Sequence, residues 1–168
     1  MRILVLILLP WIAIFLQSNV FSYYNIKGTI PDLVLVFVTF YTLFNGIVQG
    51  TVYAFACGLL EDLYMGRFIG MNALAKGLTA YIISRVEGNL FKENLFVGIL
   101  SVLLATFLNS FLLFLLSLLM FEVFHIDLGM IYSIIYQAIY NIIVAIPLYV
   151  WYYNSAKSGV LSTSRRVK

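Results

Sequence analysis

The chain has 168 residues, 63% of them hydrophobic and only 10% charged, with a mean hydropathy of +1.02. A soluble fold of this length has too little interior for so much apolar surface, so the composition excludes an ordinary soluble domain and points to lipid as the solvent. The net charge of +3 gathers in Lys157, Arg165, Arg166 and Lys168, after the last apolar run, where cations set topology and meet anionic lipid rather than nucleic acid.

Along the chain, Met1-Arg2 followed by Ile3 to Leu16 has the outline of a secretory signal, but no A-x-A-like cleavage site follows and the apolar character runs on to Tyr24. It is therefore expected to be a retained first span, 3–24. A polar connection with Asn25, Lys27, Gly28 and Pro31 follows. The stretch from Leu33 to Leu60 is too long for one helix of about 20 residues and short for two. Asn45-Gly46 is a turn signal, so spans are expected at 31–44 and 46–64, both short. Gly66, Arg67 and Gly70 mark a loop before a fourth segment, 71–86. Arg85, Glu87, Gly88, Asn89, Lys92 and Glu93 make the most hydrophilic loop. Two long spans, 95–121 and 129–153, complete an all-α bundle of six transmembrane helices in one domain, 1–154, with a basic tail at 155–168.

Charge placement supports six spans. Both termini and the loops at Asn45 and Glu87 then share one side, which holds Arg2, Arg85, Lys92 and the four tail cations; Lys27 and Arg67 lie opposite. The positive-inside rule puts both termini in the cytoplasm, whereas five spans would strand either Arg2 or the tail outside. Tyr149, Trp151, Tyr152 and Tyr153 form an interfacial belt before the tail.

Gly46, Gly50, Ala54 and Gly58 recur every fourth residue and lead to Asp62, so they share one helix face. In lipid, small residues drive association by letting backbones approach closely, within the chain or against a partner. A carboxylate at the end of such a stripe must face protein or water. Lys76, in register with Asn72, is placed to snorkel or to pair with Glu61 or Asp62. Asn109, Gln137 and Asn141 fall at similar depth in the last two spans, where amides clamp helices together or line a small pocket. The single Cys57 excludes an internal disulfide framework and reads as inert packing. His125 with Glu122 and Asp127 lacks metal-ligand spacing. No nucleophile, base or phosphate loop assembles, so neither an enzyme nor a cofactor is expected.

Three motifs in order carry a family resemblance. Pro31-Asp32-Leu33 opens the second span, Gly58-Leu59-Leu60-Glu61-Asp62-Leu63 closes the third, and Gly70-Met71-Asn72-Ala73-Leu74 opens the fourth. Together they resemble the rod shape-determining MreD family. The resemblance implies a non-enzymatic subunit of the bacterial cell-elongation machinery in the cytoplasmic membrane. Its implied partners are the bitopic scaffold MreC and, through it, the MreB filament, the glycosyltransferase RodA and a class B transpeptidase. The implied fold is similar to the substrate-binding subunits of energy-coupling factor vitamin transporters, which supplies the rival reading. A vitamin pocket calls for several convergent polar groups; the sparse amides here suit packing better. The short third and fourth segments with the loop Glu61 to Gly70 are expected to form a platform for a single-span partner.

Overall fold

The computed structural model describes residues 2–66, 68–87, 94–120 and 128–157. Among them are six α-helices, α1 (Arg2–Phe15), α2 (Leu33–Asn45), α3 (Ile47–Met65), α4 (Met71–Glu87), α5 (Leu95–Met120) and α6 (Leu128–Lys157). Three segments, Ile3–Val20, Leu95–Leu119 and Gly129–Ser155, are long and apolar enough to cross a membrane.

Contacts between remote residues give the helix directions. Leu6 meets Tyr53 and Gln17 meets Glu61, so α1 and α3 run parallel. Asp32 meets Asn141 and Asn45 meets Tyr152, so α2 and α6 run parallel. Gly58 abuts Asn72 while Gly77 faces Phe55, so α3 and α4 are antiparallel. The start of α1 and the end of α6 therefore share one end of the bundle with the joint between α2 and α3.

The first segment departs from the single helix expected over 3–24. It is α-helical to Phe15, then forms a π-helical turn over Leu16–Val20. The polar run Gln17-Ser18-Asn19 breaks the apolar pattern, and Asn19 donates to the Phe15 carbonyl at 3.0 Å. The wider turn brings Gln17 into the interior, where it is buried. Higher in α1, Pro10 has no amide to donate to Leu6. The freed Leu6 carbonyl instead accepts the Tyr53 hydroxyl of α3 at 2.8 Å.

α2 is the core of the bundle. Ten of its 13 residues are buried, from Leu33 to Leu43, and it touches each of the other five helices. A helix apolar on all sides belongs in the middle. Its joint to α3 is the single residue Gly46, at φ 87°, a left-handed conformation that glycine adopts without strain. At this end aromatic rings fill the core. Phe40 meets Tyr149 edge-on with centroids 5.6 Å apart, and Phe44 packs on Tyr152 at 5.3 Å.

Candidate functional site

Thirteen residues make a helix about 20 Å long, against roughly 30 Å of hydrocarbon. A helix of that length does not cross the layer by itself, so one spanning from either interface ends inside the apolar layer. The first amides of a helix have no intrahelical acceptor, and at that depth protein must provide one. Three side chains do so. Asn141 of α6 accepts the Asp32 amide at 2.8 Å, Gln17 accepts the Leu33 amide at 3.1 Å, and Asp32 caps Leu35 at 2.8 Å. Asn141 also donates to Thr106 of α5 at 2.9 Å.

The second Asp32 oxygen lies 2.9 Å from Lys76 Nζ, and Glu61 Oε2 lies 2.7 Å from the same ammonium. The Lys76 side chain is 0% exposed, those of Asp32 and Glu61 8% and 3%. Gln17 Nε2 donates to the other Glu61 oxygen at 3.1 Å. One amide of the π-turn thus serves α2 through its oxygen and α3 through its nitrogen.

Asp62, the next residue on α3, caps a different helix. Its two oxygens accept from Gly70, Asn72 and Ala73 amides and the Asn72 side chain, all between 2.9 and 3.1 Å. An anion at a helix N-terminus meets both the free amides and the positive end of the dipole. Asn72 closes the circuit by accepting from Lys76 at 3.4 Å. The π-turn after α1 and each of α2 to α6 therefore contribute to one continuous polar cluster, at the end of the bundle remote from the start of α1 and the end of α6. Lys76 is its only cation among the described residues; it faces the carboxylates of Asp32 and Glu61, while that of Asp62 is turned onto the positive end of α4.

The small-residue stripe packs within the chain. A Cβ at Gly50 would lie 2.6 Å from the Thr42 hydroxyl of α2, and one at Gly58 2.5 Å from the Asn72 carbonyl of α4. Ala54 between them is fully buried. Gly46 does not belong to the stripe: it is the joint ahead of α3, with open space where a Cβ would be. Four-residue spacing implies a shared face only if the helix includes Gly46, and it starts one residue later.

Lys76 pairs with Glu61 but not with Asp62, and Asp32 joins it from a part of the chain the spacing did not connect. The three amides of the last two spans are not bonded to one another. Asn141 enters the cluster, Asn109 is buried with its side-chain oxygen unpartnered, and Gln137 is half-buried. Gln17 and Thr106 were missed. The signal for Gln17 was an amide interrupting an apolar run; Thr106 carried none, since its hydroxyl also bonds its own helix at Val102. Cys57 is buried beside the stripe. Arg67, Gly88, Asn89, Lys92, Glu93, Glu122, His125, Asp127 and the tail from 158 onward lie outside the described residues. Among the described residues no group of three or more His, Cys, Asp or Glu side chains is arranged to hold a metal ion.

Helices with apolar outer faces, three of them long enough to cross a bilayer, and the buried charges Asp32, Glu61, Asp62 and Lys76 gathered in one internal clamp define an integral membrane protein. The family model of the rod shape-determining protein MreD matches residues 1–157. The chain belongs to that family, and its membrane role is in determining rod shape. No curated protein and no solved structure is similar enough to match.

Proposed function

We propose that the chain is a non-enzymatic subunit of the bacterial cell-elongation complex that binds and stabilises an MreC-type scaffold in the cytoplasmic membrane. Through that scaffold it connects to a RodA-type glycosyltransferase, a class B transpeptidase and the MreB filament, organising peptidoglycan synthesis. Both termini are cytoplasmic, with all six helices crossing or entering the bilayer. The observation that carries the reading is the closed circuit of Asp32, Glu61, Asp62, Asn72 and Lys76. Its donors and acceptors are turned on one another and on helix ends, which suits a rigid platform better than a ligand site. Family membership supports the same reading.

The clamp fixes α3 against α4 and leaves a shallow apolar furrow between them, lined by Phe55, Leu74, Gly77, Leu78 and Tyr81. A single-span helix lies there, its ordering cost reduced by confinement in the same membrane. The test is affinity purification of the tagged chain from its native membranes in mild detergent, with mass spectrometry of what accompanies it. An MreC-like scaffold is expected, and Gly77→Leu, which fills the furrow floor, lowers its recovery at least fivefold at an unchanged level of the chain. Recovery of paired ATPases with a coupling subunit would instead make the chain a transporter component.

A further inference from the structure

We propose that the cleft between α5 and α6 binds an anionic phospholipid, its acyl chain in the cleft and its phosphate at Lys27. The two helices touch at Gly98 and Tyr149 and again at Thr106 and Asn141. Beyond Phe107 they part around an apolar space of about 840 Å³, walled by Phe107, Phe111 and Phe114 on one side and Met130 and Ile134 on the other. A cavity of about 150 Å³ takes a benzene ring, so this space accepts a long chain. Gly129 and Ser133 line both this cleft and an adjoining hollow of about 360 Å³, completed by Lys27, Tyr132 and Tyr136. Apolar cleft and cationic hollow are thus continuous, the shape of an amphiphile with a fatty tail and a negative head.

Lys27 is held in place for this task. It sits at φ 51° in a two-residue turn with Gly28, closed by mutual backbone bonds of 3.0 Å between Ile26 and Thr29. Phe21 packs edge-on against Tyr140, tying the segment to α6. The ammonium lies 5.2 Å from the centre of the Tyr136 ring. No acidic side chain pairs with it among the described residues. A phosphate would give this point charge its partner, with phenol and serine hydroxyls beside it. A transmembrane helix in the cleft would leave Lys27 without one.

A lysine near a phosphate layer accounts for roughly a fivefold gain in lipid affinity. The test is native mass spectrometry of the full chain in detergent, with phosphatidylglycerol and phosphatidylcholine of identical acyl chains. Phosphatidylglycerol adducts are expected to exceed phosphatidylcholine adducts about fivefold. Lys27→Gln should bring the ratio close to one, and Ser133→Phe, which narrows the cleft, should lower both. Because the basic tail also attracts anionic lipid, the triple variant Arg165→Gln, Arg166→Gln, Lys168→Gln is measured alongside and should retain the preference. A preference that survives Lys27→Gln, or vanishes with the tail cations, overturns the proposal. So does displacement of the lipid by inorganic phosphate alone, or release of a co-purified single-span protein by Ser133→Phe with lipid binding unchanged.

Discussion

The two ends of the bundle are held by opposite means. Near the chain termini, Phe40, Phe44, Tyr149 and Tyr152 pack ring against ring, an arrangement with many small contributions and tolerance for adjustment. At the other end, Asp32, Glu61 and Lys76 hold one another in a space from which water is excluded. Such a cluster adds little net stability over apolar packing of the same shape, but removing one member leaves a buried charge without its counterpart. The aromatic end fills the interior. The charged end specifies which helices meet and in what register, because Asp32 and Glu61 find Lys76 in only one arrangement.

The largest effect should come from breaking the charged end at its centre. Lys76→Met leaves the carboxylates of Asp32 and Glu61 facing each other, at a cost of about 3 to 5 kcal/mol. Thermal unfolding in detergent should show this as a large drop in midpoint, and adding Asp32→Asn with Glu61→Gln should recover part of it. A midpoint within a degree of the parent would remove the cluster from the account of stability. Asn141→Leu comes next. It strips the Asp32 amide of its acceptor and Thr106 of its donor, about 1 to 3 kcal/mol for groups buried without partners. Gln137→Leu, one turn away, is the control and should change little; equal losses for both would mean that general packing of α6 matters, not the clamp. The smallest effect belongs to the aromatic end, where Phe44→Leu, a swap between apolar side chains, should cost under about 1.5 kcal/mol. A loss there matching Lys76→Met would erase the contrast between the two ends.

Most of the architecture was legible because it rests on local signals. Hydropathy located the long helices, and Asn45-Gly46 announced the joint that splits α2 from α3. The Gly50, Ala54 and Gly58 face followed from helical periodicity, as did the register of Asn72 with Lys76. What stayed hidden depends on the three-dimensional path. Nothing local links Gln17 to Glu61, since a π-turn aims the amide inward and an α-turn would aim it elsewhere. Pro31-Asp32 looks like an ordinary helix start; its pairing with Lys76 follows only once the start of α2 is known to pack against α4. Gly46 misled because a regular spacing ran through a residue that the helix leaves out.

The order in which the cluster's charges appear along the chain bears on how the protein is made. Asp32, Glu61 and Asp62 all leave the ribosome before Lys76 does. Until α4 emerges, α2 and α3 present three acids to the insertion machinery with no cation from the bundle to oppose them, a poor cargo for stepwise release into lipid. The first four helices are therefore best inserted as a group, held beside the translocon until Lys76 arrives. A chain truncated between Asp62 and Lys76 keeps the Ile3–Val20 span as its anchor, so the difference should show in α2 and α3: a cysteine placed on their apolar faces should react with a water-soluble maleimide in that truncation and be protected in one that ends after α4.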